Sequence, residues 1–432
     1  MTTPLTRASQ TALFPEATTF AETTSAQRKT LLAAALGWAL DAFDVMLYVL
    51  VLAHISRELH MDKPTAGFLA TLTLLASGIG GLLFGSIADR FGRRTALMLS
   101  ILTYSVCSFA SGLATSVAML AGFRFVLGLG MGGEWNTGAT LVAETWPAIL
   151  RARAIAIVQS SWALGFAAAA VVSGIMLHFY NWRAVFFVGI APALVVFWIR
   201  RSVPESELWI AGRASKFSSL AGGALPPSSA SFSEIFSARY LRNTICLLLL
   251  NLFGLFAWWG LFSWMPPYLS LPISEGGRGF GLMDTTKFLV TLNLLGMFPG
   301  YLSFGFAADK FGRRNAFVLY LACAALLVPA YALARAPWAI MLLGILVAFF
   351  GTGFFSGSAL IGSEIFPTRL RARALGFTYN GARALSSVAP FAIGYAAKGR
   401  GLAGAFYFCA GSFLLASLVA TQLPETRGKV LE

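Results

Sequence analysis

The chain has 432 residues, of which 57% are hydrophobic and 12% are charged, and this composition leaves too much apolar surface for one soluble core. A mean hydropathy of +0.73 therefore indicates a membrane protein with the lipid bilayer as its main solvent. The net charge of +14 does not indicate nucleic-acid binding, because lysine and arginine are spread over short loops between apolar stretches and form no single patch.

The order of apolar and polar segments predicts the architecture. Residues 1–27 are polar and lack the basic start and short apolar core of a secretory signal peptide. Six apolar stretches lie within residues 28–201 and six within residues 240–423, most of them near the roughly 20 residues that a membrane-spanning helix needs. Residues 202–239 are rich in Ser, Gly and Pro, which is typical of a linker, and residues 424–432 form a tail. We expect an all-α membrane protein with twelve transmembrane helices in two pseudo-symmetric six-helix bundles.

Basic residues predict the orientation of these helices. Of the 32 lysines and arginines, 22 fall on the side of the termini and the linker, eight on the other side and two inside helices. Because basic loops are retained in the cytoplasm, we expect both termini there and the chain in the cytoplasmic membrane.

The first helix carries two acidic residues near its middle, where a charge costs roughly 2.5 to 3.5 kcal/mol on insertion scales. Asp41 and Asp44 are three positions apart and share one helix face, with Tyr48 one turn further on. Two close carboxylates in a low dielectric disfavour joint ionisation, so one is expected to take up a proton, as a proton-coupled carrier requires. The alternative is that both are structural caps or partners of a cation.

Three motifs recur at a constant offset of 220 positions, which predicts duplication of a six-helix unit. The repeated segments are 85–94 with 305–314, 144–153 with 364–373, and 204–205 with 424–425. The candidate gating residues in them are Gly85, Asp89, Arg93, Arg94, Glu144, Arg151, Gly305, Asp309, Arg313, Arg314, Glu364 and Arg371.

The Gly-x-x-x-Asp-Arg-x-Gly-Arg-Arg pattern of residues 85–94 and its second copy resemble the signature of the major facilitator superfamily, and the resemblance covers essentially the whole chain. It implies that these loops act in gating. Gly85 and Gly305 are expected to let backbones approach closely, and Asp89 and Asp309 to accept hydrogen bonds from arginines or from a helix N-terminus. The alternative is that the arginines only enforce topology.

The fourth helix contains Arg124 and Glu134, which lie roughly 15 Å apart along one straight helix and cannot pair directly. Its Arg-x-x-x-Gly-x-Gly pattern resembles a superfamily motif whose arginine is associated with proton transfer, and this implies the same role for Arg124. We expect Asp41 or Asp44 to be its partner, with a purely structural ion pair as the alternative. Asp41, Asp44, Arg124 and Glu134 are thus the candidate proton-coupling residues.

The eleventh helix contains Arg383, about ten residues or 15 Å inside Arg373 and hence close to the membrane midplane. A guanidinium presents a planar fork that suits a carboxylate, so Arg383 is the candidate substrate anchor, and an interhelical lock is the alternative. Other candidate substrate-binding residues, each also explicable as packing, are Tyr48, Gln159, Trp162, Asn251, Trp258, Trp259, Asn293 and Asn380.

The interior charges do not follow the repeat. The positions offset by 220 from the five interior charges are Leu261, Trp264, Gly344, Phe354 and Ala163. A structural ion network common to both halves would be expected to recur, so this asymmetry favours a functional role.

Within the superfamily, Asp-x-x-Asp in the first helix and Gly-Met-Gly-Gly-Glu in the fourth resemble the sialate:proton and aromatic-acid:proton symporters. This resemblance implies transport of a small organic anion with protons. We expect the chain to function as a monomer. A sugar or polyol proton symporter is the alternative, because residues 424–428 and 364–373 resemble sugar porters, although the paired glutamines of their seventh helix are absent. A drug exporter is a less favoured alternative, because it would be expected to have Gly-Pro in the fifth helix and residues 159–176 contain no proline. A transport-like sensor is a further alternative, which would bind its ligand without flux.

An enzyme is not expected, because the sequence has no Ser/His/Asp, Cys/His or metal-ligand cluster. We likewise expect no cofactor, no metal and no nucleic-acid partner.

Overall fold

The computed structural model describes residues 19–207, 209–210 and 232–427, with a few side chains within these ranges left out. The described residues form helices and no strand. The helices are α1 Ser25–Glu58, α2 Lys63–Phe91, α3 Arg93–Ser111, α4 Val117–Thr145, α5 Ala148–Phe179, α6 Trp182–Val188, α7 Ala193–Ser202, α8 Leu241–Phe262, α9 Met265–Ser270, α10 Leu282–Thr291, α11 Phe298–Phe311, α12 Arg313–Leu333, α13 Pro337–Thr352, α14 Phe354–Ile365, α15 Thr368–Ser386 and α16 Ala389–Ala420, with a π-helix at Leu292–Met297 joining α10 to α11.

Twelve membrane spans can be counted in the described part of the chain. Ten segments are long and apolar enough to cross a membrane, and α3 is a further, more polar span between two of them. The last segment, Arg373–Ala420, has 48 residues and would measure roughly 70 Å as one helix, more than twice the bilayer core. Gly401, with φ of +67°, interrupts it and divides it into two spans. The predicted all-α, twelve-helix architecture is therefore confirmed, whereas the exact segment boundaries stay a prediction.

Local sequence explains where several helices begin. The Thr24 side chain caps α1 by accepting from the backbone N–H of Gln27 at 3.2 Å, and the Gln27 side chain accepts in return from Thr24 at 2.9 Å. Asp62 caps α2 in the same way, accepting from the N–H of Thr65 at 2.9 Å. These caps satisfy donors that the first helical turn leaves unpaired.

Glycines allow helices to pack closely within the N-terminal half. A Cβ on Gly128 or Gly132 of α4 would overlap the carbonyl oxygens of Thr73 and Ser77 of α2, and a Cβ on Gly165 of α5 would overlap a carbonyl of α1. Small residues permit this approach between membrane helices. The two N-terminal helices that carry interior charges, α4 and α1, are thereby held closely against α2 and α5 respectively.

The two halves meet along defined helices. We call the end of the molecule that carries Asp89 and Asp309 the motif face, and the other end the opposite face. Helix α2 packs against α15 and α16, and α5 packs against α10, the π-helix and α11. Near the opposite face, Lys398 and Asp62 form an ion pair of 2.8 Å between the halves. A Cβ on Gly67 would overlap the backbone carbonyl of Pro390, so the contact there is tight.

Candidate functional site

Five ionisable side chains lie buried near the middle of the molecule. Helix α1 contributes Asp41 and Asp44, α4 contributes Arg124 and Glu134, and α15 contributes Arg383. Each is between 0% and 4% exposed, so the site is closed to solvent in this structure. Four of these residues belong to the N-terminal half, and Arg383 belongs to the C-terminal half.

The first set of contacts, which we call the Asp44 group, comprises Asp44, Ser108, Arg124, Thr73 and Tyr48. The Ser108 hydroxyl donates to Asp44 Oδ1 at 2.9 Å, and the Arg124 Nε donates to the Thr73 hydroxyl at 3.2 Å. The Arg124 guanidinium lies 4.8 Å from the ring centroid of Tyr48, a cation–π distance, and interacts electrostatically with Asp44. Asp44 thus lies on the Arg124 side of the site.

Tyr48 makes its remaining polar contact inside the same half. Its hydroxyl donates to the backbone carbonyl of Ala66 at 2.8 Å. Both the ring and the hydroxyl are therefore engaged within the N-terminal half in this structure, and a contact of Tyr48 with substrate stays a prediction.

The second set, which we call the Arg383 group, comprises Asp41, Glu134 and Arg383. Arg383 interacts electrostatically with both carboxylates across the boundary between the halves. Glu134 lies directly against Gly37, where a Cβ would overlap its Oε1. Glycine at position 37 therefore provides the space that the buried carboxylate occupies.

Several polar atoms in the two groups have no hydrogen-bond partner among the described residues. They are Asp41 Oδ2, Asp44 Oδ2, Glu134 Oε2 and Arg124 Nη1. A buried polar atom without a partner costs about 1 to 3 kcal/mol and calls for an explanation. Three carboxyl groups also face only two guanidinium groups, so charge balance requires a proton or another cation.

Indole rings from both halves surround the same region. The ring of Trp162 lies 4.8 Å from that of Trp38 and 6.0 Å from those of Trp258 and Trp259. The Nε1 donors of Trp162 and Trp258 and the Oε1 acceptor of Gln159 are buried without a partner among the described residues. The structure thus brings four predicted tryptophan and glutamine candidates into one layer at the boundary of the halves.

Two of the predicted asparagines, Asn251 and Asn293, make hydrogen bonds within the C-terminal half. Asn251 accepts from the Ser358 hydroxyl at 2.6 Å and donates to the carbonyl of Thr378 at 3.5 Å, contacts that join helices of the C-terminal half. Asn293 donates to the carbonyl of Leu289 at 2.8 Å within the π-helix region, and Asn380 is partly buried. The Oδ1 atom of Asn293 is buried without a hydrogen-bond partner among the described residues, and the substrate-binding role of the three asparagines stays a prediction.

The repeated motifs form two matching clusters at the motif face. In the first, Arg93 pairs with Asp89 at 2.9 Å and with Glu144 at 3.2 Å. Glu205 accepts from the backbone N–H groups of Arg93 and Arg94 at 2.9 and 3.2 Å. The carboxylate of Glu205 therefore caps the start of α3.

The second cluster repeats the first at the offset of 220. Arg313 pairs with Asp309 at 2.6 Å and with Glu364 at 3.2 Å, and Glu425 accepts from the N–H groups of Arg313 and Arg314 at 2.9 and 3.2 Å. Burial acts to raise the pKa of Glu425, but the donating backbone N–H groups lower it overall. Glu425 therefore remains a carboxylate at neutral pH.

One expectation about these motifs is wrong. A Cβ on Gly85 or Gly305 would meet nothing within 4 Å, so neither glycine serves a close backbone approach in this structure. The side chains of Arg151 and Arg371 lie outside the described residues.

Three further residues at the site were not among the predicted candidates. Thr73 and Ser108 contact the buried charges, as described above, and Tyr104 of α3 lies within electrostatic range of Asp41, Asp44 and Glu134. Tyr104 and Ser108 are four positions apart and so share one face of α3, a polar pattern that could have identified them. Among the described residues, no group of three His, Cys, Asp or Glu side chains is placed to hold a metal.

Comparison with known proteins identifies the family. The model of the Major Facilitator Superfamily matches residues 34–286 and 277–431. The chain is 33% identical to a probable 4-methylmuconolactone transporter of Cupriavidus pinatubonensis, over 94% of this chain and 92% of the relative. It is 32% identical to the sialic acid transporter NanX of Escherichia coli, over 92% and 95%.

A solved structure agrees in fold. The partially occluded inward-open xylose transporter XylE of E. coli matches with a TM-score of 0.73 at 19% identity, over 94% of this chain and all of that one. At this identity the likeness shows the fold alone. The family match, the relatives and the twelve-helix structure agree that this chain is an integral membrane transporter, and no enzyme, of the Major Facilitator Superfamily.

Proposed function

We propose that this chain carries a small organic anion with a carboxylate group across the cytoplasmic membrane, together with protons, by alternating access. The observation that carries the proposal is the Arg383 group. A buried arginine of the C-terminal half interacts with the buried Asp41 and Glu134 of the N-terminal half. A rocking motion between the halves would separate these charges, so their compensation has to change during the cycle.

The chemistry of these residues supports a coupled mechanism. A substrate carboxylate can take the place of Asp41 or Glu134 beside the planar fork of Arg383. The displaced acid then loses its counter-charge in a buried setting, which favours binding of a proton. The neutralised acid and the paired substrate can then cross the apolar interior without an uncompensated charge. Asp44, beside Arg124, is the second candidate proton carrier.

The relatives favour an acid as the substrate. Sialic acid and 4-methylmuconolactone, the compounds in the names of two relatives, both carry a carboxyl group that is ionised at neutral pH. A neutral sugar or polyol would leave Arg383 without a new counter-charge. The indole layer of Trp162, Trp258 and Trp259 supplies flat apolar surfaces and N–H donors that can contact the rest of such a molecule.

Orientation and assembly belong to the same proposal. The basic loops lie at the motif face, so we place this face and both termini in the cytoplasm. We propose a monomer as the functional unit, because the candidate site is built from the two halves of one chain.

The test is transport by the purified protein in proteoliposomes. Uptake of radiolabelled monocarboxylates, aromatic acids, sialate and xylose is measured with and without an inward proton gradient. We expect at least one acid to accumulate only with the gradient. The Asp41→Asn/Asp44→Asn double variant should lose this gradient-driven uptake and retain part of the counterflow exchange, since exchange needs no net proton movement. Accumulation of xylose without any acid would refute the anion proposal, and unchanged proton coupling in the double variant would refute the role of the two acids.

A further inference from the structure

We propose that Tyr104 is a proton-relay residue, with its phenol hydroxyl linking the Asp44 group to the Arg383 group. This inference rests on the proposed proton symport. Tyr104 lies on α3, is 0% exposed, and its hydroxyl has no hydrogen-bond partner among the described residues. A buried O–H donor without an acceptor is costly, so a role in another state of the transport cycle explains its presence.

The geometry of α3 places Tyr104 between the two groups. Ser108, one turn further along α3, donates to Asp44. Tyr104 is therefore about 6 Å closer to the motif face than Ser108, and a tyrosine side chain in a helix leans further toward the helix N-terminus. Its backbone nitrogen lies against α4, where a Cβ on Gly130 would be 2.9 Å away. Glu134 is one turn beyond Gly130 on the same helix.

The charged groups that interact electrostatically with Tyr104 are carboxyl groups. Asp41 and Asp44 on α1 and Glu134 on α4 interact electrostatically with Tyr104. In the described parts of α2, α6 and α7, which also pack near α3, no charged group takes part in this interaction. A phenol donor surrounded by three acids can hydrogen-bond to whichever of them is ionised.

This arrangement allows a proton to pass between the groups without a charged phenol. The protonated carboxyl of one acid gives its proton to the phenol oxygen while the phenol hydrogen passes to the carboxylate of another acid. One O–H bond breaks and one forms at each end, and the tyrosine is neutral before and after. The net result is one proton moved between the Asp44 group and the Arg383 group.

The repeat argues against a role in packing alone. The position offset by 220 from Tyr104 is Ala324, which is also 0% exposed. The fold of a six-helix half therefore does not require a tyrosine here. The N-terminal half has the three acids and the tyrosine, whereas the equivalent positions of the C-terminal half hold neither acids nor a tyrosine.

Tyr331 offers a matched control in the C-terminal half. It is 0% exposed, and its hydroxyl also has no hydrogen-bond partner among the described residues. Its electrostatic neighbours are Tyr268 and Arg278, and no acid is among them. Replacing either tyrosine by phenylalanine keeps the ring and removes one orphan hydroxyl.

The experiment compares Tyr104→Phe, Tyr331→Phe and the unmodified protein in proteoliposomes, using an acid that the unmodified protein accumulates. We expect Tyr104→Phe to lower gradient-driven uptake about tenfold, the scale of one hydrogen bond to a charged group, and to shift the pH profile of uptake. Counterflow exchange should stay within about twofold of normal, because it needs no net proton transfer. Tyr331→Phe should leave the uptake, its pH profile and the exchange unchanged.

Two results would overturn the inference. One is a normal pH profile and normal uptake in Tyr104→Phe, and the other is an equal loss of uptake and exchange together with a lowered melting temperature, which would indicate a structural role. The unmodified protein separates this failure from that of the proposed function, because transport of the acid without any proton dependence would refute the symport itself.

Discussion

The two buried arginines have different electrostatic surroundings. The partners of Arg124 are Tyr48, Thr73 and Asp44, all in its own half, so this arginine keeps them when the halves move as rigid bodies. Arg383 interacts with Asp41 and Glu134 of the other half. It would lose these counter-charges when the halves separate and would need a different one. Under the proposed mechanism, this difference places Arg124 in maintaining the N-terminal half and Arg383 in the step that senses substrate.

We predict that Arg383→Lys and Arg383→Ala bind the transported carboxylate at least about tenfold more weakly, because lysine keeps the charge but loses the planar two-pronged contact. Binding to the purified proteins can be followed by tryptophan fluorescence, since Trp162 and Trp258 lie in the same central region.

The control for this measurement is Arg400→Lys. Arg400 is exposed on α16 and lies 6.0 Å from the ring centroid of Phe408, away from the central acids, so its replacement should leave affinity unchanged. Near-normal affinity in both Arg383 variants would remove Arg383 from the site and make Arg124 the next anchor to test.

At the scale of elements, the motif face is organised by the starts of α3 and α12. Both helices follow a glycine with positive φ, Gly92 at +103° and Gly312 at +95°, a conformation that other residues rarely adopt. The carboxylates of Glu205 and Glu425 lie directly beside these glycines. Each cluster thus ties together the end of one span, the start of the next and the chain that leaves the sixth or the twelfth span.

We predict that Asp89→Asn and Asp309→Asn lower turnover severalfold without a comparable change in KM. The aspartates are mostly exposed, with side chains 77% and 72% accessible, so each ion pair contributes only about 0.2 to 1 kcal/mol. Such an amount shifts an equilibrium between conformations by a few-fold, and the clusters are too far from the central charges to contact the substrate. Initial rates of uptake over a range of substrate concentrations measure both quantities.

Asp284→Asn is a suitable comparison for the motif variants. Asp284 is an exposed acid in the first turn of α10, at the opposite face, and its replacement should leave turnover unchanged. A selective loss of affinity at normal turnover in Asp89→Asn would contradict a gating role.

The spans and the duplication could be predicted from sequence because lipid imposes a minimum apolar length and the repeat offset is constant. The partners of the interior charges could not. The spacing of Asp41 and Asp44 places them on one face of α1, but only helix packing decides that Asp44 meets Ser108 of α3. Tyr104 could not be predicted either, because an uncharged tyrosine is ordinary in a membrane helix and the role proposed for it depends on acids from two other helices.

At the scale of the whole molecule, contacts between the halves close the opposite face. In addition to the Asp62 to Lys398 ion pair, the Lys63 ammonium donates to the carbonyl of Glu275 at 2.9 Å, and the backbone N–H of Phe391 donates to the Thr71 hydroxyl at 3.3 Å. The alternating access proposed above would require these contacts to break together. They therefore set the stability of the conformation with a closed opposite face relative to one in which that face is open.

We predict that Asp62→Asn opens the opposite face more often, by a few-fold, and equally across about pH 5 to 8. The side-chain hydrogen bond from Lys398, followed by the bonds from Thr65, lowers the pKa of Asp62 below its usual value. An acid with a lowered pKa stabilises the closed form at every pH above its ordinary value of about 3.9 and loses this effect only as the pH falls toward the lowered one. The ion pair is thus constant in this range, and any pH-dependent opening has to arise from the buried acids.

The matched control for this variant is Glu58→Gln, because Glu58 pairs with Arg183 of its own half at the same face. Asparagine at position 62 retains the helix cap on Thr65. Spin labels at the exposed positions Phe179 and Met283, one in each half, report the separation. An unchanged distance distribution in Asp62→Asn, or an equal change in Glu58→Gln, would show that this ion pair does not hold the halves together.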